Sequence, residues 1–403
     1  MEAMQNTYRD RPLHKRFVLN KRDILVFIVL FPFIQQRTMQ EFPYWLQMAY
    51  QYGSWLSAAY IYFEFFRRNS QITPRLKRLL PVFLIWVTYI VITIIIYPAK
   101  LAYTASNCFV LLAIALYVDI EVNNEPKRFL KVLAFIYTAY VLANNILVMI
   151  FPNGIYKVAE SVFHKGHLLG DDNAIIYVAL PGMVILALYS YMKKGKITGF
   201  AWFNILLCEV VLVRLWSGSA LVCFALFIVL LFISVNIKKL PPSTELIAFL
   251  AIMILIFAGG SLPFVQRFVV NFLHKDVTFS SRSFMWAHAF QMFIERPLFG
   301  YGGYFTVGMN QYGRYSYPVH TPYLQMLIDG GLVLVAEYFL ALRKGYANLQ
   351  KHFNTVESQI LAAGLTAISV NYIFEWSRLM HMMIILTLAI NIDKLIASRG
   401  RSN

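Results

Sequence analysis

The stretch Ser219-Ala220-Leu221-Val222-Cys223-Phe224-Ala225-Leu226-Phe227-Ile228-Val229-Leu230-Leu231-Phe232-Ile233-Ser234-Val235-Asn236 contains no charged residue. As a helix it is close to the ~20 apolar residues that a bilayer crossing needs. Comparable stretches recur on both sides of it, at 23–39, 44–66, 79–97, 101–118, 129–151, 173–192, 199–216, 246–262, 321–342, 356–374 and 379–396. Together they predict twelve spans. Two depart furthest from a uniform apolar run: the first is broken by Pro32 and followed by Gln35-Gln36, and the eleventh carries Gly364, Ser369 and Asn371.

Composition points the same way. The chain is 59% apolar, 16% aromatic and 14% charged over 403 residues, with mean hydropathy +0.58. That leaves too little polar surface to solvate a soluble domain of this size. A formal charge of +16 would suit nucleic acid if it formed one soluble basic face. Here the lysines and arginines lie in short clusters between apolar runs, so the reading is a lipid bilayer and no nucleic acid.

Those clusters set an expected orientation. With the N-terminus in the cytoplasm, 25 of the 36 basic residues fall on the inner side: before residue 23, in Arg67–Arg78, Lys127–Lys131, Lys193–Lys196 and Lys238–Lys239, in Arg343–Lys351, and after residue 393. Every inner connection is then basic, which fits an even span count with both termini inside. The expected fold is an all-α membrane protein of about 12 transmembrane helices, a single integral membrane domain over residues 1–403. The first span reads as a retained signal anchor, because a long basic leader precedes it, no small-residue cleavage site follows it, and Phe42-Pro43-Tyr44-Trp45 forms an aromatic interface belt. Cys108, Cys208 and Cys223 fall within spans at spacings that suit neither disulfides nor zinc, and read as core fillers. Neither a solenoid repeat nor the paired broken helices of an inverted-repeat transporter is visible.

The longest connection, about residues 259–320, lies between spans nine and ten and on the outer side of this layout. It is too long for an idle loop, and Pro263, Pro297 and the glycines 300, 302, 303, 308 and 313 punctuate it. Ser281–Glu295 within it is a predicted helix with a Phe, Met and Trp face and a stripe of Ser283, His288, Gln291 and Glu295, suited to lying in the membrane interface or roofing a cavity. Arg282 falls in its first turn, where the helix dipole disfavours a cation by about 0.3–1 kcal/mol. It reads either as a phosphate ligand, through its bidentate fork, or as an arginine snorkelling toward headgroups. His320 precedes Thr321, a candidate N-cap, and Pro322, a candidate first helical residue. The positive helix end favours a neutral imidazole, which can take a proton from a hydroxyl.

Two further connections carry polar residues. Arg214 stands near the outer end of the seventh span, before Trp216-Ser217-Gly218-Ser219, as an interfacial arginine or an anion ligand, with Glu209 poorly spaced to pair with it. His164-Lys165-Gly166-His167-Leu168-Leu169-Gly170-Asp171-Asp172-Asn173 has no metal-ligand spacing. Asp172 and Asn173 there are candidates for sugar recognition or for helix capping.

Arg282-x-x-x-Trp286, Pro297-Leu298-Phe299-Gly300-Tyr301-Gly302 and His320-x-x-Tyr323-Leu324-Gln325-x-Leu327, closing at Gly331, resemble the signature of the O-antigen ligase and polymerase superfamily, which includes the Wzy-type polysaccharide polymerases. The motif covers about fifty residues, and the twelve-span layout with its large outer loop extends the likeness to most of the chain.

The resemblance implies an integral-membrane GT-C glycosyltransferase in the bacterial cytoplasmic (inner) membrane, with no cofactor and no metal, whose catalytic loop is 259–320 on the extracytoplasmic face. The implied donor is a polyprenyl-pyrophosphate-linked oligosaccharide, undecaprenyl pyrophosphate being the carrier, and the implied chemistry is inverting. Carried over, His320 is the base, Arg282 is catalytic and binds pyrophosphate with Arg214 and Arg296, and Asp172, Asn173 and Tyr323 face the acceptor sugar. Flippase and chain-length regulator proteins are the implied protein partners. Two positions depart from the family pattern. Thr321 stands where Asn or Ser is common, and Ala220 stands where the family's arginine follows the small Ser/Gly motif, so Arg296, Arg314 or Arg378 competes with Arg214 for the second cation. The loop Gly170–Asn173 resembles capsule and exopolysaccharide polymerases and favours a polymerase over a ligase. A transporter or flippase, with Glu209, Asp329 and Glu337 along a path, is the alternative of another class.

Overall fold

The computed structural model describes residues 20–34, 39, 41–67, 72–157, 165–259, 282–303, 319–375 and 379–400. A helix occupies each of the twelve apolar stretches: α1 (Lys21–Leu30), α2 (Tyr44–Arg67), α3 (Ile72–Ile96), α4 (Leu101–Asn124), α5 (Pro126–Ile150), α6 (Ile176–Lys194), α7 (Gly199–Leu215), α8 (Gly218–Phe232) and α9 (Pro242–Gly259). After them come α10 (Arg282–Glu295), which is the helix expected inside the long loop, then α11 (Pro322–Lys351), α12 (Val356–Phe374), and α13 (Leu379–Ile390) with its bent continuation α14 (Ile392–Gly400). Local chemistry sets several of the ends. Asn20 and Asp23 form a capping box on α1, Thr198 and Thr355 cap α7 and α12, and Gly195 closes α6 in the left-handed region. The first helix stops at Leu30, two residues before the Pro32 that interrupts its apolar run.

Among the described residues six helices are long and apolar enough to cross a membrane: Ile72–Ile96, Pro98–Asn124, Pro126–Ile150, Ile176–Lys194, Gly218–Ile237 and Pro322–Lys351. A seventh crossing results if the pair Leu379–Ile390 and Ile392–Arg399, bent by 62°, counts as one. The shorter α1 and α7, of 10 and 17 residues, do not reach that length by themselves. Near the centre, α12 packs on α6, α8, α9, α11 and α13. This explains its weak apolar signal. Ala362, Ala363, Gly364, Thr366, Ala367 and Ser369 let five helices approach it, and all are buried, whereas a lipid-facing helix would carry large apolar side chains.

Ion pairs and hydrogen bonds tie helix ends of the bundle to one another. At one end Arg22 meets Glu125, Lys131 meets Asp23, Arg75 and Arg78 converge on the buried Asp119, and Arg399 bridges Tyr191 and Glu357. Lys344 donates to the Lys77 carbonyl, and Gln359 bonds both ways with the Leu240 backbone. All seven basic segments expected on the inner side therefore meet at this end. The long loop's described flanks, the α5–α6 connection and the α7–α8 turn lie at the other.

That other end also contains strands, which an all-α reading did not foresee. Tyr156–Lys157, Lys165–His167 and Gly170–Asp171 form a three-stranded antiparallel sheet with Lys165–His167 central, pairing Tyr156 with Gly166 and His167 with Gly170. Gly166 lies under the Tyr156 ring, where a Cβ would overlap it.

Candidate functional site

The site is built where α11 begins. Thr321 is extended (φ −142°, ψ 125°) with Pro322 as the first helical residue, as the sequence predicts. Its hydroxyl does not cap the helix, however; it donates to the Tyr372 carbonyl at 2.8 Å, tying the start of α11 to the end of α12. His320, half-buried, has φ +31°. Trp216 is the one other described non-glycine residue with positive φ. Backbone strain of this kind persists where surrounding contacts enforce it, and functional sites are where it concentrates. Here the contacts are the Thr321 bond on one side and, on the other, the Val319 N–H donating to Gln325 Oε1 at 3.2 Å.

Three more elements converge on the same end. Trp216, left-handed at φ 53°, turns α7 into α8 and places Ser217 and Ser219 at the positive end of α8. Ser217 donates to Asn173 Oδ1 at 2.8 Å, so the α5–α6 connection is held on this turn. Ser219 and Tyr177 donate to the two carboxylate oxygens of Glu375 at 3.2 and 3.3 Å. Glu375 is 4% exposed and follows Tyr372 by three residues, so the Thr321 bond puts this acid and His320 at the same end of α12. An imidazole, a carboxylate and several hydroxyls gathered there are the groups that bind and deprotonate alcohols.

Residues 203–339 match the family described as O-antigen ligase. Over that third of the chain the sequence is similar to the O-antigen ligase family. The matched segment runs from α7 into α11 and so holds Arg214, Ser217, Arg282, Arg296 and His320, while Asn173 and Glu375 join from outside it. No curated protein matches the chain.

Within the matched segment the predicted cations are spread out. Arg214 is exposed in the last turn of α7, where the dipole favours a cation, and among the described residues it makes no ion pair. Arg296 is exposed and stacks on the Tyr301 ring at 4.7 Å. Tyr301 in turn donates to Glu295 at 2.5 Å; burial, then that carboxylate, push its phenol up to about 12. Arg282 begins α10 as expected, but its side chain, together with Arg314 and Arg378, lies outside the described residues.

The buried face of α10, Met285, Trp286, Ala289 and Met292, packs on Leu324 and Ile328 of α11, with His288 half-buried and Gln291 and Glu295 exposed on the polar stripe. Tyr323, expected at the acceptor, is in the core: it is 5% exposed, its hydroxyl donates to the Ser369 carbonyl at 2.9 Å, and its ring stacks on Phe339 and meets Phe249 at a tilt. It offers no face to a sugar. Asp172 accepts the Asn173 N–H at 3.2 Å; neither residue caps α6, whose start carries no side-chain cap, and Asp171 closes the turn before it by accepting the Ala174 N–H at 2.8 Å.

The glycine-rich part of the signature also finds a physical role. α11 breaks at Gly331 (φ 63°, ψ −159°), and the turn Pro297–Gly302 docks into the break. Tyr301 N–H donates to the Ile328 carbonyl and Gly302 N–H to the Asp329 carbonyl, at 2.8 and 2.9 Å, while Leu332 N–H donates to the Pro297 carbonyl at 2.8 Å. A Cβ at Gly300 would overlap the Ile328 carbonyl, and one at Gly331 the Leu298 carbonyl. Sequence reasoning missed Glu375, although an acid in Phe374-Glu375-Trp376 just past a span was a usable signal.

Proposed function

We propose that this protein is a polysaccharide polymerase that joins polyprenyl-pyrophosphate-linked oligosaccharide repeat units at the outer face of the bacterial inner membrane. The observation that carries the reading is His320 itself, held with positive φ at the start of α11 inside the segment similar to the O-antigen ligase family and beside the hydroxyl and carboxylate cluster around Glu375.

In the proposed step an acceptor sugar hydroxyl attacks the donor's anomeric carbon as its proton passes to His320. The new glycosidic C–O bond forms with inversion while the bond from that carbon to the pyrophosphate oxygen breaks, and polyprenyl pyrophosphate leaves with the electron pair. Arginines from α7, α10 and the turn after it, Arg214, Arg282 and Arg296, would neutralise charge developing on the leaving group, a larger contribution than proton removal and one that needs no metal. Asn173 and Asp172, at the edge of the cluster, would meet the acceptor, and twelve crossings with both termini inside would place the site outside. Flippase and chain-length regulator proteins are the proposed neighbours.

A second reading, transfer of finished polysaccharide to a lipid core, is favoured by the matched family's own description. What favours the polymerase is the resemblance of the loop Gly170–Asn173 to capsule and exopolysaccharide polymerases. The transport alternative loses ground because two of its candidate path acids are engaged: Asp329 by Tyr89 and Gln325, and Glu337 by Thr88.

The test is the length distribution of carrier-linked glycans in a deletion strain complemented with wild-type or His320→Ala protein. Single repeat units remaining on the carrier identify the polymerase, and long carrier-linked chains that never reach the lipid core identify the ligase. Full rescue by His320→Ala sinks both.

A further inference from the structure

Beneath the site lies a buried polar chain that the proposed chemistry does not use. Gln325, 2% exposed, accepts the Val319 N–H at 3.2 Å through Oε1 and donates through Nε2 to Asp329 Oδ1 at 2.8 Å. Asp329, 1% exposed, takes the Tyr89 hydroxyl on its other oxygen, and its carbonyl takes the Gly302 N–H at 2.9 Å. One turn along α3 from Tyr89, Thr93 accepts the Gly303 N–H at 2.8 Å and donates to the Tyr89 carbonyl at 2.7 Å.

The described flanks of the segment 304–318 therefore converge on one node. The Gly302–Gly303 side hangs on Asp329 and Thr93, and the Val319–His320 side hangs on Asp329 through Gln325. Burial makes each bond in such a chain expensive to leave unmade, so the node favours a single arrangement of its flanks. Val319 is adjacent to His320, whose backbone is the strained one, and the turn that ends at Gly303 begins beside Arg296.

We propose that Tyr89, Gln325 and Asp329 are positioning residues that fix the His320 imidazole relative to the Arg296–Gly303 turn. The inference deepens the transferase reading and rests on it for its catalytic consequence, but the geometric claim can be read without activity.

The experiment labels purified full-length protein with diethyl pyrocarbonate and follows His320 by mass spectrometry across pH, with His352 as internal control. Gln325→Met keeps the side-chain length and removes both bonds; Tyr89→Phe removes one and is the second variant should the first fail to fold. Expected is a rise in His320 labelling of at least about fivefold in Gln325→Met, the opening that follows from losing the Val319 bond alone, a smaller rise in Tyr89→Phe, and no change at His352. With a lipid-linked donor, kcat should fall and donor KM stay level. Unchanged His320 labelling in the folded variants overturns the inference. Altered labelling together with a wild-type protein inert on every lipid-linked donor upholds the positioning and overturns the transferase reading.

Discussion

Gly331 and Thr321 show how narrow the tolerance is at single residues. At Gly331 the backbone occupies a region open essentially to glycine alone, and the position faces the Leu298 carbonyl. Gly331→Ala should cost at least about 1–3 kcal/mol from strain, visible as a lower unfolding temperature in detergent; an unchanged midpoint would mean the turn does not dock as described. At Thr321 the hydroxyl, not the helix end, is what counts. Thr321→Val should lose about 1 kcal/mol with the Tyr372 bond, and Thr321→Ser should recover it. His167 adds a dependence on pH. Burial lowers its pKa below the usual 6.5, outweighing the opposite pull of Asp172, so the folded hairpin prefers the neutral ring. That preference is fully present above 6.5 and is lost as pH falls through the lowered folded value. Amide exchange in 165–171 should accelerate on acidification, and His167→Phe should flatten the response.

At the scale of elements, α3 and α4 are joined by an ion cluster rather than by apolar contact alone. Asp119 is fully buried with Arg78 Nε at 2.8 Å and Arg75 Nε at 3.8 Å. Removing the shared acid leaves two cations facing each other, one of them buried, so Asp119→Ala should destabilise by about 3–5 kcal/mol, measured as lost monodisperse protein after mild heating. Replacing Arg78 alone should do less, because Arg75 remains as a partner. For α12 the expectation is steric: Gly364 already touches the Val184 side chain, so Gly364→Leu should separate α12 from α6, and wild-type behaviour of that variant would contradict a central α12. The twelve apolar runs located these elements with ends off by up to nine residues, as at Leu30 and Lys351, but their hydropathy could not say which helix is central. A helix surrounded by protein and one surrounded by lipid differ in the size of their side chains more than in mean apolarity.

For the whole molecule, the basic clusters of the sequence and the cross-linked charges of the structure coincide at one end of the bundle. The proposal that this end is cytoplasmic predicts that reporter fusions after residue 196, 240 or 351 are active inside, and one after residue 303 outside. A fusion after 303 that reports from the cytoplasm would invert the topology and move the site to the wrong face for the proposed donor.

What the sequence determined alone was class and parsing: a membrane protein, the approximate positions of its helices and a likeness to the O-antigen ligase family over residues 203–339, because hydropathy and short motifs are local quantities. Tertiary structure decided which of the motif's residues lie near one another. It withdrew Tyr323 into the core, brought Glu375 to the His320 end from fifty-five residues away, and turned the glycines of the signature into a dock for the broken helix α11. None of these is local. Each depends on which helix ends meet, and that is set by the packing of α12 against its five neighbours.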